Sequence, residues 1–218
     1  MGWLMNSDAG GVDSLIRQAK DGDEQALAAL FDRWRDRLRR MVRLRMDRRL
    51  AGRVDSDDVL QDAYLQMGRR FAEFLQDPDS MPMFLWMRLI TGQTLVDLHR
   101  HHLGTQMRDA GREISLHRGA LPAATSVSLA AQLLGKMTSV SRAAIRAEHK
   151  LLVQEALNNM DPVDRDVLTL RHFEHLSNEE TALVLGLKKS AASQRYIRAL
   201  KRLKEILSSI PGMGEQVQ

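Results

Sequence analysis

Leu176-Ser177-Asn178-Glu179-Glu180-Thr181-Ala182-Leu183-Val184-Leu185-Gly186, continuing through Lys188-Lys189-Ser190 to Leu207, is the stretch on which the fold turns. Ser177 stands three residues before Glu180, the reciprocal pairing of a capping box, so a helix starts there. Ala182, Leu183 and Leu185 give that helix an apolar side, and Gly186 ends it. A second helix is predicted from Lys189 or Ser190 to Leu207. Small residues on either side of the glycine, Ala182 and Ala192, let two such helices cross closely. The pattern is that of a helix-turn-helix.

The second helix sorts into two faces. Ala192, Tyr196, Ala199, Leu200, Leu203 and Leu207 lie on one side; Ser190, Ser193, Gln194, Ile197, Arg198 and Lys201 lie on the other. Gln and Arg pair bidentately with adenine and guanine edges, and an isoleucine can touch a thymine methyl. Lys188, Lys189, Arg195, Arg202 and Lys204 flank that face, where they could hold phosphates. A basic helix packed on its neighbours would carry the same charge, but capping, periodicity and charge here agree on DNA. Upstream, Asp161-Pro162-Val163-Asp164 supplies an N-cap, a proline at the first helical position and a first-turn acid. That helix is expected to end near Phe173 to His175.

Outward from this motif, helical periodicity dominates. Leu27, Leu30, Phe31, Trp34, Leu38, Met41 and Val42 recur at three- and four-residue steps, as do Leu60, Ala63, Tyr64, Met67, Phe71 and Phe74. A third helix is predicted from Met83 to about His102, after the breaker stretch Gln76 to Pro82. Between Leu103 and Val140, glycines and a run of small residues dilute the pattern, which reads as a flexible interdomain linker with a short helix near Leu129 to Leu134. The chain is therefore expected to be all-α: two small helical domains, 12–102 and 142–210, joined by a linker over 103–141. A length of 218 residues accommodates this.

Composition narrows the function. Apolar runs such as Met83 to Met87 are far short of the roughly 20 residues of a membrane span. The N-terminus has no basic flank before an apolar stretch, so no export signal is read there and a soluble cytoplasmic protein is expected. The absence of cysteine excludes disulfides, thiolate metal sites, cysteine nucleophiles and a thiol redox sensor within the chain. The net charge is only +4, but Arg33 to Arg53 holds ten arginines against Asp36 and Asp47. Lys188 to Lys204 holds seven basic residues and no acid. Two separated basic stretches suggest two contacts with a polyanion, although each alone also reads as a solvated helix face.

The first domain carries two further signals. Asp55, Asp57, Asp58 and Asp62 would repel DNA, so the face with Asp58, Gln61 and Asp62 suits a protein partner; equally, acids at a helix N-terminus complement its dipole. Phe71, Phe74 and Trp86 bracket the proline-containing loop, with Arg88, Gln93, Asp97 and Arg100 marking a polar side of the next helix. Aromatics beside basic groups are what single-stranded DNA binding uses, and also what a small helical core uses.

Taken in order, these pieces resemble the extracytoplasmic-function (ECF) sigma factors of the sigma-70 family, over nearly the whole chain from about residue 12 to 208. The resemblance rests on Asp57-Asp58-Val59-Leu60-Gln61-Asp62, Trp86-Met87-Arg88-Leu89-Ile90 with Asp97 and Arg100, Leu170-Arg171-His172-Phe173, Leu176 to Glu180 and the terminal helix-turn-helix. It implies a transcription initiation factor that is not an enzyme and needs no cofactor or metal. Its partners would be core RNA polymerase, promoter DNA and an anti-sigma protein. By position, Asp57, Asp58, Gln61 and Asp62 would meet polymerase. Phe71, Phe74, Trp86, Gln93, Asp97 and Arg100 would recognise and open the minus-ten element as a single strand. Lys189, Ser190, Ser193, Gln194, Ile197, Arg198 and Lys201 would read the minus-thirty-five element as duplex. Gln93 stands where members usually have Asn, and Ser193 where many carry Lys or Arg, which implies an unusual promoter preference. Family linkers are often acidic; this one has Arg108, Arg112, Arg118 and Lys136 against Asp109 and Glu113.

A flexible linker of about 38 residues spans roughly 35 Å, whereas promoter elements about two helical turns apart need roughly 70 Å. Polymerase is thus expected to set the spacing, and the isolated protein to bind DNA weakly. Two other classes fit the sequence less well. An autonomous helix-turn-helix repressor would leave the acidic helix without a role. A metalloenzyme built on His99/His102 or His172/His175 lacks a third ligand at suitable spacing, so surface histidines are expected.

Overall fold

The computed structural model describes residues 9–50, 53–103, 124, 126–135 and 143–209. Among these there are nine α-helices and no strand. They are α1 (Ala9–Lys20), α2 (Glu24–Arg45), α3 (Ser56–Phe74), α4 (Met83–Leu103), α5 (Ser126–Gly135), α6 (Ala143–Asn158), α7 (Pro162–Leu168), α8 (Asn178–Leu185) and α9 (Lys189–Ser209). The chain divides into two compact units: Met1–Val42 with Asp47–Met107, and Arg43–Met46 with Arg108–Gln218. No helix is long and apolar enough to cross a membrane among the described residues.

In the first unit, α1 stops at Gly22, whose φ of 94° carries the chain into a turn. Asp23 then accepts from the Gln25 amide at 2.9 Å to start α2. Leu27, Leu30, Phe31, Leu38, Met41 and Val42 of α2 are buried, as their spacing requires. Helix α3 begins at a complete capping box: Asp55 accepts from the Asp57 and Asp58 amides while Asp58 accepts from the Asp55 amide. Val59, Leu60, Ala63, Met67, Phe71 and Phe74 follow on its buried stripe. Helix α4 is buried nearly all round at its start, Met83 to Arg88, and again at Ile90, Leu95, Val96 and His99. It is the central helix against which α3 packs.

The second unit is cored by Leu129, Ala130, Leu134, Val153, Leu157, Met160, Leu168, Phe173, Ala199, Leu203, Ile206 and Leu207. Helix α5 packs along α6, and Ser126 Oγ donates to Asn158 Oδ1 at 2.5 Å. Residues 126–135, read from sequence as part of a linker, are therefore core-building. The segment is short and its Val, Leu and Ala residues sit in a stretch diluted by glycine and serine, so the packing surface shows only once α6 lies against it. The remaining linker positions, including Arg108, Asp109, Arg112, Glu113, Arg118 and Lys136, fall outside the described residues.

Asp161 caps α7, accepting from the Val163 and Asp164 amides, with Pro162 in the first turn. The helix then widens into a π turn over Thr169–Phe173. His175, at φ 57°, closes it, and the Leu176 amide returns to the Leu170 carbonyl at 2.9 Å. Helix α8 carries the Ser177–Glu180 capping box and ends at Gly186 in the left-handed conformation, φ 62°. Asn178 Nδ2 spans the turn to the Lys189 carbonyl at 2.9 Å. Thr181, Ala182 and Ala192 are buried where α8 and α9 cross.

Candidate functional site

Two surfaces carry the chemistry anticipated above, one in each unit. In the second, α9 buries Ala192, Ala199, Leu203, Ile206 and Leu207, and half-buries Tyr196 and Leu200. The opposite side is open: Lys189, Ser190, Ser193, Gln194, Ile197, Arg198 and Lys201 are all exposed, Ile197 to 55 %. A 55 % exposed isoleucine between Gln194 and Arg198 is an apolar contact offered outward on a polar, basic face. A helix side so composed can enter a major groove and meet base edges.

Two of those cations are already engaged within the protein. Lys189 Nζ lies 2.5 Å from Glu179, both exposed. Arg198 Nε and Nη2 lie 2.5 and 2.8 Å from the two oxygens of Asp164, a side chain only 6 % exposed. Arg195 donates to the same carboxylate at 2.7 Å and to Asp161 at 3.3 Å. Arg198 above all, despite the cost of burial, holds the Asp164 carboxyl below the usual carboxylate range; the Asp164 hydrogen bond in turn raises Arg198. In sequence Asp164 reads only as a first-turn acid. Its partners are over thirty residues away, so no local signal reveals the cluster.

In the first unit, α3 and α4 flank a groove of about 550 Å³ lined by Asp62, Leu65, Arg69, Arg70, Gln93 and Asp97, among others. It brings together one residue expected to meet polymerase, Asp62, and two expected to meet the minus-ten strand, Gln93 and Asp97. Leu65, 52 % exposed, stands on its wall. The sequence reading missed Leu65, though its place off the Leu60-Ala63-Tyr64-Met67 stripe marks it as outward. Arg70 Nη1 donates to Gln93 Oε1 at 2.5 Å and its Nε to Glu73 at 3.2 Å. Gln93, longer than Asn, thus clasps α4 to α3 through its carbonyl. Arg100 and Asp97, both exposed, pair at 3.4 Å.

The acidic start of α3 divides by role. Asp57 is paired with Arg39 at 2.7 Å and Arg35 at 3.4 Å, and chiefly the Arg39 hydrogen bond lowers its titration. Asp58 is spent on the cap. Gln61 and Asp62 are exposed.

The aromatic trio needs correction as a stacking platform. Phe71, Phe74 and Trp86 are 8 %, 5 % and 5 % exposed. They pack on one another at 5.0 to 6.1 Å between ring centres. The core has claimed them because burying these rings against α4 removes the largest apolar surfaces in the segment from water. No ring face among them is presented to a base in this structure. His99 is likewise not a surface histidine: it is 3 % exposed, and its Nε2 accepts from the Asp47 amide at 3.2 Å. Burial lowers its titration below the ordinary range. Among the described residues no three His, Asp or Glu side chains come together as a metal site.

The family described as sigma-70, region 4 matches residues 150–203, which include α7, α8 and most of α9. The chain is 22% identical over 202 residues to the ECF RNA polymerase sigma factor BldN of Streptomyces coelicolor, covering 93% of this chain and 68% of that one. It is 26% identical over 204 residues to the ECF RNA polymerase sigma factor SigD of Mycobacterium tuberculosis, covering 89% and 82%. Among solved structures, that of CnrH in complex with the cytosolic domain of CnrY superposes with a TM-score of 0.51. There the identity is 24% over 89% of this chain and 96% of the other, a likeness of fold.

Proposed function

We propose that the chain is an ECF sigma factor of the sigma-70 family, a reading supported by the region 4 match and by its likeness to named ECF sigma factors, and that its two surfaces divide the work of starting transcription. That reading makes it a non-enzymatic initiation factor whose partners are RNA polymerase and promoter DNA. In our reading, α9 enters the major groove of the minus-thirty-five element. Ser190, Ser193, Gln194, Ile197 and Arg198 meet bases, while Lys189 and Lys201 meet phosphates. The first unit binds core polymerase through the outer side of α3, where Gln61 and Asp62 are exposed and carry no structural duty. Asp57 and Asp58 support that surface from their ion pairs and cap. Gln93, Asp97 and Arg100 of α4, with the loop Gln76 to Pro82, take the opened minus-ten strand; Phe71, Phe74 and Trp86 contribute by holding α3 and α4 together.

The single observation that carries this reading is the clean separation of faces on α9, every candidate reading residue exposed and every packing alanine and leucine buried or half-buried. An anti-sigma partner completes the proposal. CnrH, of similar fold, was solved with the cytosolic domain of CnrY on it, and this chain is read as taking a partner of that kind.

Co-elution with core polymerase, without promoter DNA, tests the first half. Wild type should bind stoichiometrically, and Gln61→Ala/Asp62→Lys should lose binding while remaining folded, because the cap and the Arg39 pair are untouched. Failure of wild type to bind polymerase, in a sample that grips duplex DNA alone, would favour an autonomous repressor instead.

A further inference from the structure

Arg198 and Asp164 meet in a way that bears on base recognition. The guanidinium lies side-on to the carboxylate, Nε on Oδ2 at 2.5 Å and Nη2 on Oδ1 at 2.8 Å. That pairing uses two of the five N–H groups and leaves the end-on pair, one from each terminal nitrogen, directed away from Asp164. The end-on pair is the one that matches O6 and N7 of guanine. Arg198 remains 60 % exposed although its stem is tied, whereas Asp164 is 6 % exposed and fixed from below. Its amide is held by the Asp161 cap, and Arg195 donates to its Oδ1 at 2.7 Å. With Asp161 beside Arg195 the cluster balances two arginines against two carboxylates, and the exposed member turned toward a polyanion is the Arg198 guanidinium.

We propose that Asp164 is a positioning residue that presents Arg198 edge-on to guanine, making this one base of the duplex element a specified one. The proposal rests on the reading that α9 lies in the major groove. An untethered arginine samples many rotamers and contacts phosphates as readily as bases. Held by Asp164, it loses that freedom before binding, and the geometric fit to guanine is retained while generic phosphate contact is not improved. The contribution is therefore to selectivity more than to affinity.

The test uses the full chain at low salt and a duplex library randomised across one major-groove face, sequencing the bound fraction. Wild type should select guanine at one position by on the order of tenfold or more. Asp164→Asn should lose most of that preference, leaving selection at other positions and affinity for the unselected library nearly unchanged. Arg198→Lys, which keeps the charge without the fork, should lose preference at the same position. The double variant should lose no more than either alone. Asp164→Glu, which keeps the charge but moves it by one methylene, should weaken the preference and guards against a folding defect in Asp164→Asn. Preference intact in both Asp164 variants, or selection flattened equally at every position together with a lowered melting temperature, would overturn the proposal. If wild type selects no base at all, the reading of α9 as a duplex reader fails with it, and that result is distinguishable from the others.

Discussion

His99 and Thr181 show how single buried polar groups act on stability. His99 accepts the Asp47 amide through Nε2, which requires the neutral ring, and burial lowers its titration. An unfolded chain takes up that proton first, near the ordinary value of about 6.5. Stability from this group is therefore complete above that pH and declines as pH falls from it toward the folded value. Denaturant titrations between neutral and mildly acidic pH should show the decline, and His99→Gln should flatten it. Asp47, held to about 2 chiefly by the Arg49 side chain, acts in a separate window, losing its contribution only as pH falls below the usual carboxylate value. Thr181 is fully buried with its hydroxyl oxygen unpartnered. Replacing it by the isosteric valine removes an unmet polar group, so Thr181→Val should stabilise the chain by about 1 kcal/mol, read from the denaturant midpoint.

Helices started by local chemistry were legible in the sequence; helices held by distant surfaces were less so. The Ser177–Glu180 box and the Gly186 stop involve residues within one turn of each other, and both are present as read. Gly186 sits at φ 62°, where an alanine is strained, so Gly186→Ala should cost about 1 kcal/mol and loosen the register of α9 on α8. Helix α5 is legible only in part: the short helix expected near Leu129 to Leu134 is there, but its place in the core carries no local signal. Its Leu129 and Ala130 are fully buried, yet the segment lies in what composition marks as a linker. Leu129→Ala should cost about 2–5 kcal/mol in chemical denaturation, a magnitude a linker residue would not show. The π turn at Thr169–Phe173 had no sequence signal either; it is an adjustment of backbone phase that brings Leu170 and Phe173 inward together.

Across the whole molecule, charge is arranged rather than accumulated. The net value is +4, but α9 presents exposed lysines on a face backed by buried alanine and leucine, while the exposed acids Asp58 and Asp62 lie on α3. The isolated protein should accordingly bind duplex DNA weakly and with steep salt dependence, as phosphate contacts release counterions. Lys201→Ala should reduce the slope of log affinity against log salt by about 0.9 if it holds one phosphate. Tight promoter binding by the isolated chain at physiological salt would contradict a role that depends on polymerase.

By itself the sequence determined the helical class, the helix-turn-helix and the division of α9 into two faces, because each is written in spacing and capping within a few residues. Tertiary structure alone decided which candidates are free to act. It took Phe71, Phe74 and Trp86 into the core, tied Asp57 to Arg39, joined Gln93 to Arg70 and set Asp164 beneath Arg198. The reason is physical: periodicity states which side of a helix is apolar, but burial and pairing depend on what another helix, tens of residues away, brings against it.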